Sequence, residues 1–599
     1  MSGYAFVRAA VELALPAELR PLDRALARWV RAHGGSALLA EVAAWASFAD
    51  GAGDSALPLV GAAAGRHGMR RLDDEELAAL TREPLVAADP GAPAAAFVFD
   101  ADGRFYLRRN AADEAAVAAA VRARRDASAP AAAARADLDA LFGGRDDAAV
   151  APQRAAVAAA PGRRLFVLTG GPGTGKTTTV LRMLLMLQRC AGRPLAIQAA
   201  APTGKAAQRL VESLRTGREA LAPALGAEWA AYLDAIPDRE ALTLHRLLAF
   251  DPRRDRFRRN ARDPLPGEVV VVDEASMMDL ALLRALLAAV RPEATLVLVG
   301  DPDQLTSVAA GSALQDLVSV LTADGGCDLV RLEHSFRAER ALVPVHAAVR
   351  AGDVAGFDAA WRAAGIEAVR HAPADAASLR EVVLRWADRL LDGLPRPTLP
   401  ALPADAPPGA LAARDALVRE ALAALRGRQL LCALREGPSG ALALDAAVEA
   451  RLRQRLGVAS GWFAGRPVIV TRNDYAARLF NGDVGLCLAD AEGGLRVWFE
   501  TVGADGLPAV RGLPVGALPV HEGAFAITIH KSQGSEYGHV AVVLPPAADS
   551  PVLSRQLLYT GLSRARRSLE LWATDGALRA ALEAPVRRAG GLAVRLGIA

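Results

Sequence analysis

Lysine is nearly absent from this chain. Of 599 residues, Lys and Arg make up 70, and only three of those are Lys: Lys176, Lys205 and Lys531. Arg has taken over wherever a surface cation suffices. A position that keeps Lys is therefore one that uses a compact ammonium on a thin stem rather than a broad planar fork. Cysteine is scarce too. Cys190, Cys327, Cys432 and Cys487 are scattered without metal-type spacing, which excludes a disulfide framework or zinc knuckle and predicts buried small apolar residues in a reducing cytosol. Net charge is only +3, which excludes a generally basic coat, so any nucleic-acid binding must come from a local groove. No apolar stretch reaches membrane length, because the Ala-rich runs are broken by Arg, Asp or Glu. The first residues alternate apolar and charged and resemble no signal peptide. These absences together predict a cytoplasmic protein with no membrane partner.

What is present is organised. The length allows roughly three or four domains, each with its own core. Residues 1–110 read as a helical N-terminal domain ending in strand-like stretches at 96–99 and 105–107, without a chemical motif. Residues 111–145 read as linker and helix, broken at Ser128-Ala129-Pro130. From Gln153 on, apolar strands at 165–168, 195–199, 269–272 and 296–299 alternate with helices, which predicts a parallel sheet buried on both faces. A Pro-rich stretch at 395–408 reads as a surface loop. A second α/β region runs from about 428 to the end. Within it, 465–516 is rich in Gly, Pro and short alternating strands, which predicts a small β-barrel insert.

The three lysines mark the chemistry. The strand at 165–168 runs into Thr169-Gly170-Gly171-Pro172-Gly173-Thr174-Gly175-Lys176-Thr177-Thr178 and then a helix. This is a phosphate-binding loop in its strand–loop–helix context. The glycines let backbone N–H groups face phosphate oxygens, and the helix N-terminus adds a positive dipole. Lys176 is placed to reach the β- and γ-phosphates of ATP, and the Thr177 hydroxyl to ligate Mg²⁺. The strand at 269–272 ends in Asp273-Glu274. Asp273 suits Mg²⁺, and Glu274 suits orienting the attacking water. Together they indicate phosphoryl transfer to water by positioning and charge neutralisation. A third strand closes in Gly300-Asp301-Pro302-Asp303-Gln304-Leu305, where the Gln304 amide can sense the γ-phosphate; read alone, the segment is equally a turn.

In order along three quarters of the chain, these segments resemble the motifs of superfamily 1 DNA helicases of the RecD-like branch. Gln153 matches the glutamine that reads the adenine edge. Ala201-Pro202-Thr203-Gly204-Lys205-Ala206 matches the motif that grips DNA backbone, and Thr243-Leu244-His245 a segment typical of the branch. Ser335-Phe336-Arg337, Thr528-Ile529-His530-Lys531-Ser532-Gln533-Gly534-Ser535-Glu536 and Tyr559-Thr560-Gly561-Leu562-Ser563-Arg564-Ala565-Arg566 match later motifs. Ser563 stands where the family usually has Thr, and Arg564 keeps its register.

The resemblance implies two RecA-like P-loop NTPase domains, at 146–345 and 346–599, with the barrel inserted in the second. It implies Arg337 and Arg564 as arginine fingers from the second lobe, with Phe336 and Glu536 on the nucleotide. Thr203, Lys205, Thr528, His530 and Lys531 become candidates for single-stranded DNA, with Phe480, Tyr475 and Phe525 as candidate stacking aromatics. The implied activity is a 5′-to-3′ DNA helicase acting at duplex ends with RecB-like and RecC-like subunits, docked through the N-terminal domain; the chain offers no nuclease site of its own. Two alternatives stay open at this point: a stand-alone helicase of the same branch, and an ATP-dependent switch subunit without autonomous unwinding.

Overall fold

The structure, a computed structural model, describes residues 15–238, 242–307, 309–336, 341–403, 405–459, 461–474, 476–503 and 508–597. Among them no helix is long and apolar enough to cross a membrane.

The N-terminal domain is less helical than its sequence suggests. Helices Pro21–Ala32 and Ala37–Gly51 pack together over a mixed four-stranded sheet of β1 (Leu57–Pro58), β2 (Val86–Ala87), β3 (Phe97–Phe99) and β4 (Arg104–Leu107), in the order β1-β4-β3-β2. Leu39, Trp45, Phe97 and Phe105 fill the core between them. The helix that follows, Arg108–Asp126, lies in the stretch read as linker and helix. Its Val117, Ala118 and Val121 bury into the core of the first α/β lobe, against the helix Leu280–Ala289.

That lobe contains β5 (Leu165–Gly170), β6 (Ile197–Ala201), β7 (Leu242–Thr243), the hairpin β8 (Phe250–Asp251) and β9 (Arg256–Phe257), β10 (Val269–Val272), β11 (Thr295–Gly300) and β12 (Leu329–Leu332). Apart from the hairpin, they form one parallel sheet ordered β12-β5-β11-β10-β6-β7. All four valines of β10 are buried, as expected of a strand covered on both faces. In such a sheet ligands bind beyond the carboxyl ends of the strands, where the winding direction reverses. Here those are the ends of β5, β10 and β11.

The second lobe starts just before Val343: Leu342, Val345 and Val349 already belong to its core. Its parallel sheet combines β13 (Ala368–His371) and β14 (Arg428–Cys432) with three later strands. The insert comes between them: β15 (Pro467–Val470), β16 (Val484–Ala489), β17 (Leu495–Val502), β18 (Pro508–Pro514) and β19 (His521–Gly523). Strands β20 (Ala526–Thr528), β21 (Tyr537–Val543) and β22 (Ala565–Trp572) complete the lobe in the order β13-β22-β21-β14-β20. Because β14 and β20 are neighbours in the sheet, the insert leaves and re-enters at one place. It extends past the expected boundary at 516 to Gly523, and its antiparallel order, β18-β17-β16-β15-β19, leaves β18 and β19 as unpaired edges among the described residues, so by hydrogen bonding it is an open sheet. Cys432 and Cys487 are buried; Cys190 and Cys327 are exposed, contrary to the expectation for all four.

Candidate nucleotide site and DNA track

The loop after β5 turns only because Gly173 and Gly175 adopt φ of +76° and +82°, a region L side chains rarely enter. Gly175 is needed twice over. A Cβ there would lie 2.5 Å from Nε2 of Gln153, which donates to the Thr174 carbonyl at 3.1 Å. Gln153 is thus held over the loop. The helix Lys176–Ala191 begins at the loop's end and directs its free N–H groups into it. Lys176 Nζ donates to the Gly170 and Gly171 carbonyls at 2.8 and 3.0 Å, lying across the mouth of the loop. Phe336, nearly half exposed at 45%, is fixed to the other side of the loop by its N–H to the Gly173 carbonyl at 2.9 Å. A Cβ on Gly175 would also lie 3.8 Å from the Phe336 ring, so Gln153 and Phe336 flank that glycine. Arg337 lies outside the described residues.

Asp273 ends β10, two strands from β5. Burial and the adjacent Glu274 push its carboxyl above the usual range, against the pull of Lys176. The Glu274 N–H donates to it at 2.9 Å, and Glu274 itself sits at φ +53°, a strained position for a non-glycine residue. Hydroxyl and carboxylate oxygens of Thr177 and Asp273 are the hard donors that Mg²⁺ takes.

The loop after β11 crosses between the lobes. Asp301, buried, accepts from Gln304 Nε2 at 2.9 Å and from the Tyr559 hydroxyl at 3.1 Å. Gln304 in turn accepts from Arg564 Nη2 at 2.5 Å. Arg564 is also buried; it donates to the Thr560 carbonyl at 3.0 Å and the Ser535 carbonyl at 3.3 Å. Leu305 donates its N–H to Thr560 Oγ1 at 2.9 Å and accepts from Gln533 Nε2 at 3.1 Å, while its side chain joins the core of the second lobe. Burying a leucine there contributes about 1.5–3 kcal/mol. Tyr559 also reaches the phosphate loop, since a Cβ on Gly171 would fall 2.9 Å from its hydroxyl. Burial and the Asp301 charge hold that phenol well above its ordinary pKa, so it stays a donor.

Predicted Gln304 and Arg564 are thus brought into contact. Asp301, Tyr559, Thr560 and Gln533 lie in the quoted motifs, but without the fold no role was assigned to them. Glu536 and Glu274 both act on the charge of Arg209. Glu536 pairs with Arg566 at 2.8 Å and lines a pocket with Lys205, Arg209 and Arg426, and so stands with a predicted DNA lysine.

The DNA candidates separate. Thr203 caps its helix, its Oγ1 accepting from Ala206 N at 3.3 Å. Lys205, half-buried, shares a pocket of about 110 Å³ with Asp483 and Glu500 of the insert. Burial, with Arg209 and Arg426 nearby, pushes its pKa down to about 8. Lys531 pairs with Glu522 of β19 at 2.6 Å, and Thr528 Oγ1 accepts from the Lys531 N–H at 3.3 Å. His530 is exposed. Phe480 packs over Gly204, with 3.6 Å to a Cβ built there. Phe525 is core, stacked on Phe463, and Tyr475 lies outside the described residues. One basic feature went unassigned: Arg253, Arg254, Arg256 and Arg258 cluster on the β8–β9 hairpin. The run Arg253-Arg254-Asp255-Arg256 was visible in the sequence, but a net charge of +3 conceals local clusters.

Comparison with known proteins places this geometry. Residues 153–310 match the family described as an AAA domain, and 523–571 the UvrD-like helicase C-terminal domain. The RecBCD enzyme subunit RecD of Mycolicibacterium smegmatis is 39% identical over 543 residues, covering 87% of this chain and 86% of that protein. The protein of the same name from Haemophilus influenzae is 33% identical, covering 74% and 71%. The ATP-dependent RecD2 DNA helicase of Deinococcus radiodurans is 34% identical over 410 residues, 68% of this chain but only 46% of that protein.

Proposed function

The chain belongs to the RecD family, and from that premise we propose that it is an ATP-driven DNA helicase moving 5′ to 3′ along single-stranded DNA as the RecD subunit of a RecBCD-type enzyme. One observation carries the mechanism: buried Arg564 of the second lobe meets Gln304 of the first at 2.5 Å. Charge developing on a γ-phosphate in the loop after β5 is felt by Lys176 from one lobe and by Arg564 from the other. An arginine placed this way stabilises the transition state. Because it arrives from the opposite lobe, binding favours closure and hydrolysis releases it. Thr177 and Asp273 would hold Mg²⁺, which when bound would neutralise charge on the phosphate oxygens. Glu274 orients the attacking water, and Gln304 reports loss of the γ-phosphate to the second lobe. Gln153 and Phe336 take the base.

Among the open alternatives, the RecD subunits are favoured because the alignment spans 86% of the mycobacterial subunit and 46% of the RecD2 helicase. The N-terminal domain is the docking surface for RecB-like and RecC-like partners, and the cytoplasm is the compartment of such an assembly. The test is ATP-driven unwinding by the purified chain on duplexes with a 5′ or a 3′ single-stranded tail. Selective opening of the 5′-tailed duplex is expected. Opening only the 3′-tailed duplex would keep the helicase and overturn its direction. ATP turnover without opening either duplex would favour a switch that works only within its complex.

A further inference from the structure

The last helix of the second lobe, Asp575–Glu583, is followed by a tail that leaves that lobe. Val586 still donates to Gln556 at 2.7 Å. From Arg587 on, the partners change. The Ala589 N–H donates to Asp54 at 2.8 Å, and the Ala589 carbonyl accepts from Ser55 N–H at 2.9 Å, both in the N-terminal domain. Gly591 N–H donates to Glu114 at 3.0 Å, and Leu592 and Leu596 bury in the core of the first lobe.

Arg588 stands at the crossing. Its Nη1 donates to the carbonyls of Ala309 at 2.7 Å and Gly311 at 3.0 Å, and its Nη2 to the carbonyl of Ser307. These carbonyls belong to the irregular loop directly after Gln304 and Leu305. A guanidinium presents five N–H donors in a rigid planar fork, which suits holding three such acceptors in a fixed arrangement. The N-terminal domain presses on the same group. Gly311 N–H donates to the Gly53 carbonyl at 2.9 Å. A Cβ on Gly53, which sits at φ +95°, would lie 2.7 Å from Arg588 Cζ. The loop that carries Gln304 is therefore gripped by Thr560 and Gln533 on one side and by Arg588, backed by Gly53, on the other.

We propose that Arg588 is a positioning residue for the Gln304 loop, and that through Gly53 the N-terminal domain sets how strongly DNA stimulates ATP hydrolysis. This rests on the reading of Gln304 and Arg564 given above. Arg588 bonds Ser307, Ala309 and Gly311 rather than the residues assigned to the nucleotide, so its loss should alter turnover and leave nucleotide affinity alone.

The experiment measures steady-state ATPase of the full-length chain with and without oligo(dT). R588A should lower DNA-stimulated kcat about tenfold, the scale of a small misplacement of a catalytic group, with KM for ATP within about twofold. R588K, which holds fewer carbonyls, should fall between. G53A should act in the same direction from the N-terminal side, and the R588A/G53A double variant should be no worse than R588A alone, as for residues acting through one contact. Wild-type stimulation in R588K and G53A, or effects that multiply, would overturn the proposal while leaving the helicase reading intact. Absence of DNA stimulation in the wild type would instead overturn that reading, and this proposal with it.

Discussion

In the first lobe, the strand ends are where the ionisable chemistry sits: Lys176 follows β5, Asp273 follows β10 and Asp301 follows β11. The second lobe has the same parallel architecture, yet β14, β21 and β22 end in Cys432, Val543 and Trp572, all buried. Its contributions come from Gln533, beyond β20, and above all from a helix, Arg555–Leu562, and the residues just after it: Tyr559, Thr560 and Arg564. On the proposed reading the first lobe holds phosphates. The second is built to touch the holder. A shared fold thus carries two functions, set by which segments bear the side chains.

The sharpest way to break that division is at Lys176. Among the described residues its side chain bonds loop carbonyls, so K176A should leave the melting temperature nearly unchanged while ATP turnover drops roughly a thousandfold or more, the scale of losing a preorganised charge in a phosphoryl-transfer site. Residual turnover close to wild type would deny the first lobe its holding role.

Arg564 tests the other half. R564A should lower kcat by roughly a hundredfold or more and keep binding of a fluorescent ATP analogue within a few-fold. Lost binding with normal turnover per bound nucleotide would move the second lobe from sensing to holding.

The first lobe was more legible in the sequence than the second for a physical reason. A loop that wraps phosphate with backbone N–H groups demands Gly at fixed positions, and an acidic pair must end a buried strand. Both leave a pattern. The contact of Arg564 with Gln304 depends on two segments 260 residues apart, and no spacing announces it. The stretch 111–145 read as linker and helix, but the helix Arg108–Asp126 has little apolar contrast between its faces, and only its packing on the helix Leu280–Ala289 shows where it belongs. Turn-rich composition announced the insert, whereas its open edges depend on which distant strands pair. The four-stranded sheet of the N-terminal domain hides for a similar reason: β1 and β2 are two residues each.

Where the lobes face each other across the insert, each presents one of the remaining lysines. Lys205 comes from the first lobe, with its pKa pushed down to about 8. If it contacts a DNA phosphate, the charged form binds, so a proton must be taken up on binding once pH exceeds that value. Affinity for single-stranded DNA should then decline a few-fold between pH 8 and 9, and by at most about tenfold per pH unit for one proton. K205R, always charged, should flatten the profile. Parallel profiles for the two proteins would remove Lys205 from the track.

Lys531 comes from the second lobe and faces a fixed rival rather than an open groove. Its ammonium lies 2.6 Å from Glu522, which also holds Arg435 at 2.7 Å. A phosphate approaching Lys531 must displace this carboxylate. Half-exposed pairs of this kind are worth roughly 0.2–1 kcal/mol, so E522Q should tighten DNA binding by at most about fivefold. The gain should shrink as salt rises, because added ions screen pair and phosphate alike. Fluorescence anisotropy across a salt series reads both effects. Weaker binding by E522Q would reverse the assignment: Glu522 would then be aiming Lys531 at the strand, and the insert would be completing the second lobe's grip instead of competing with it.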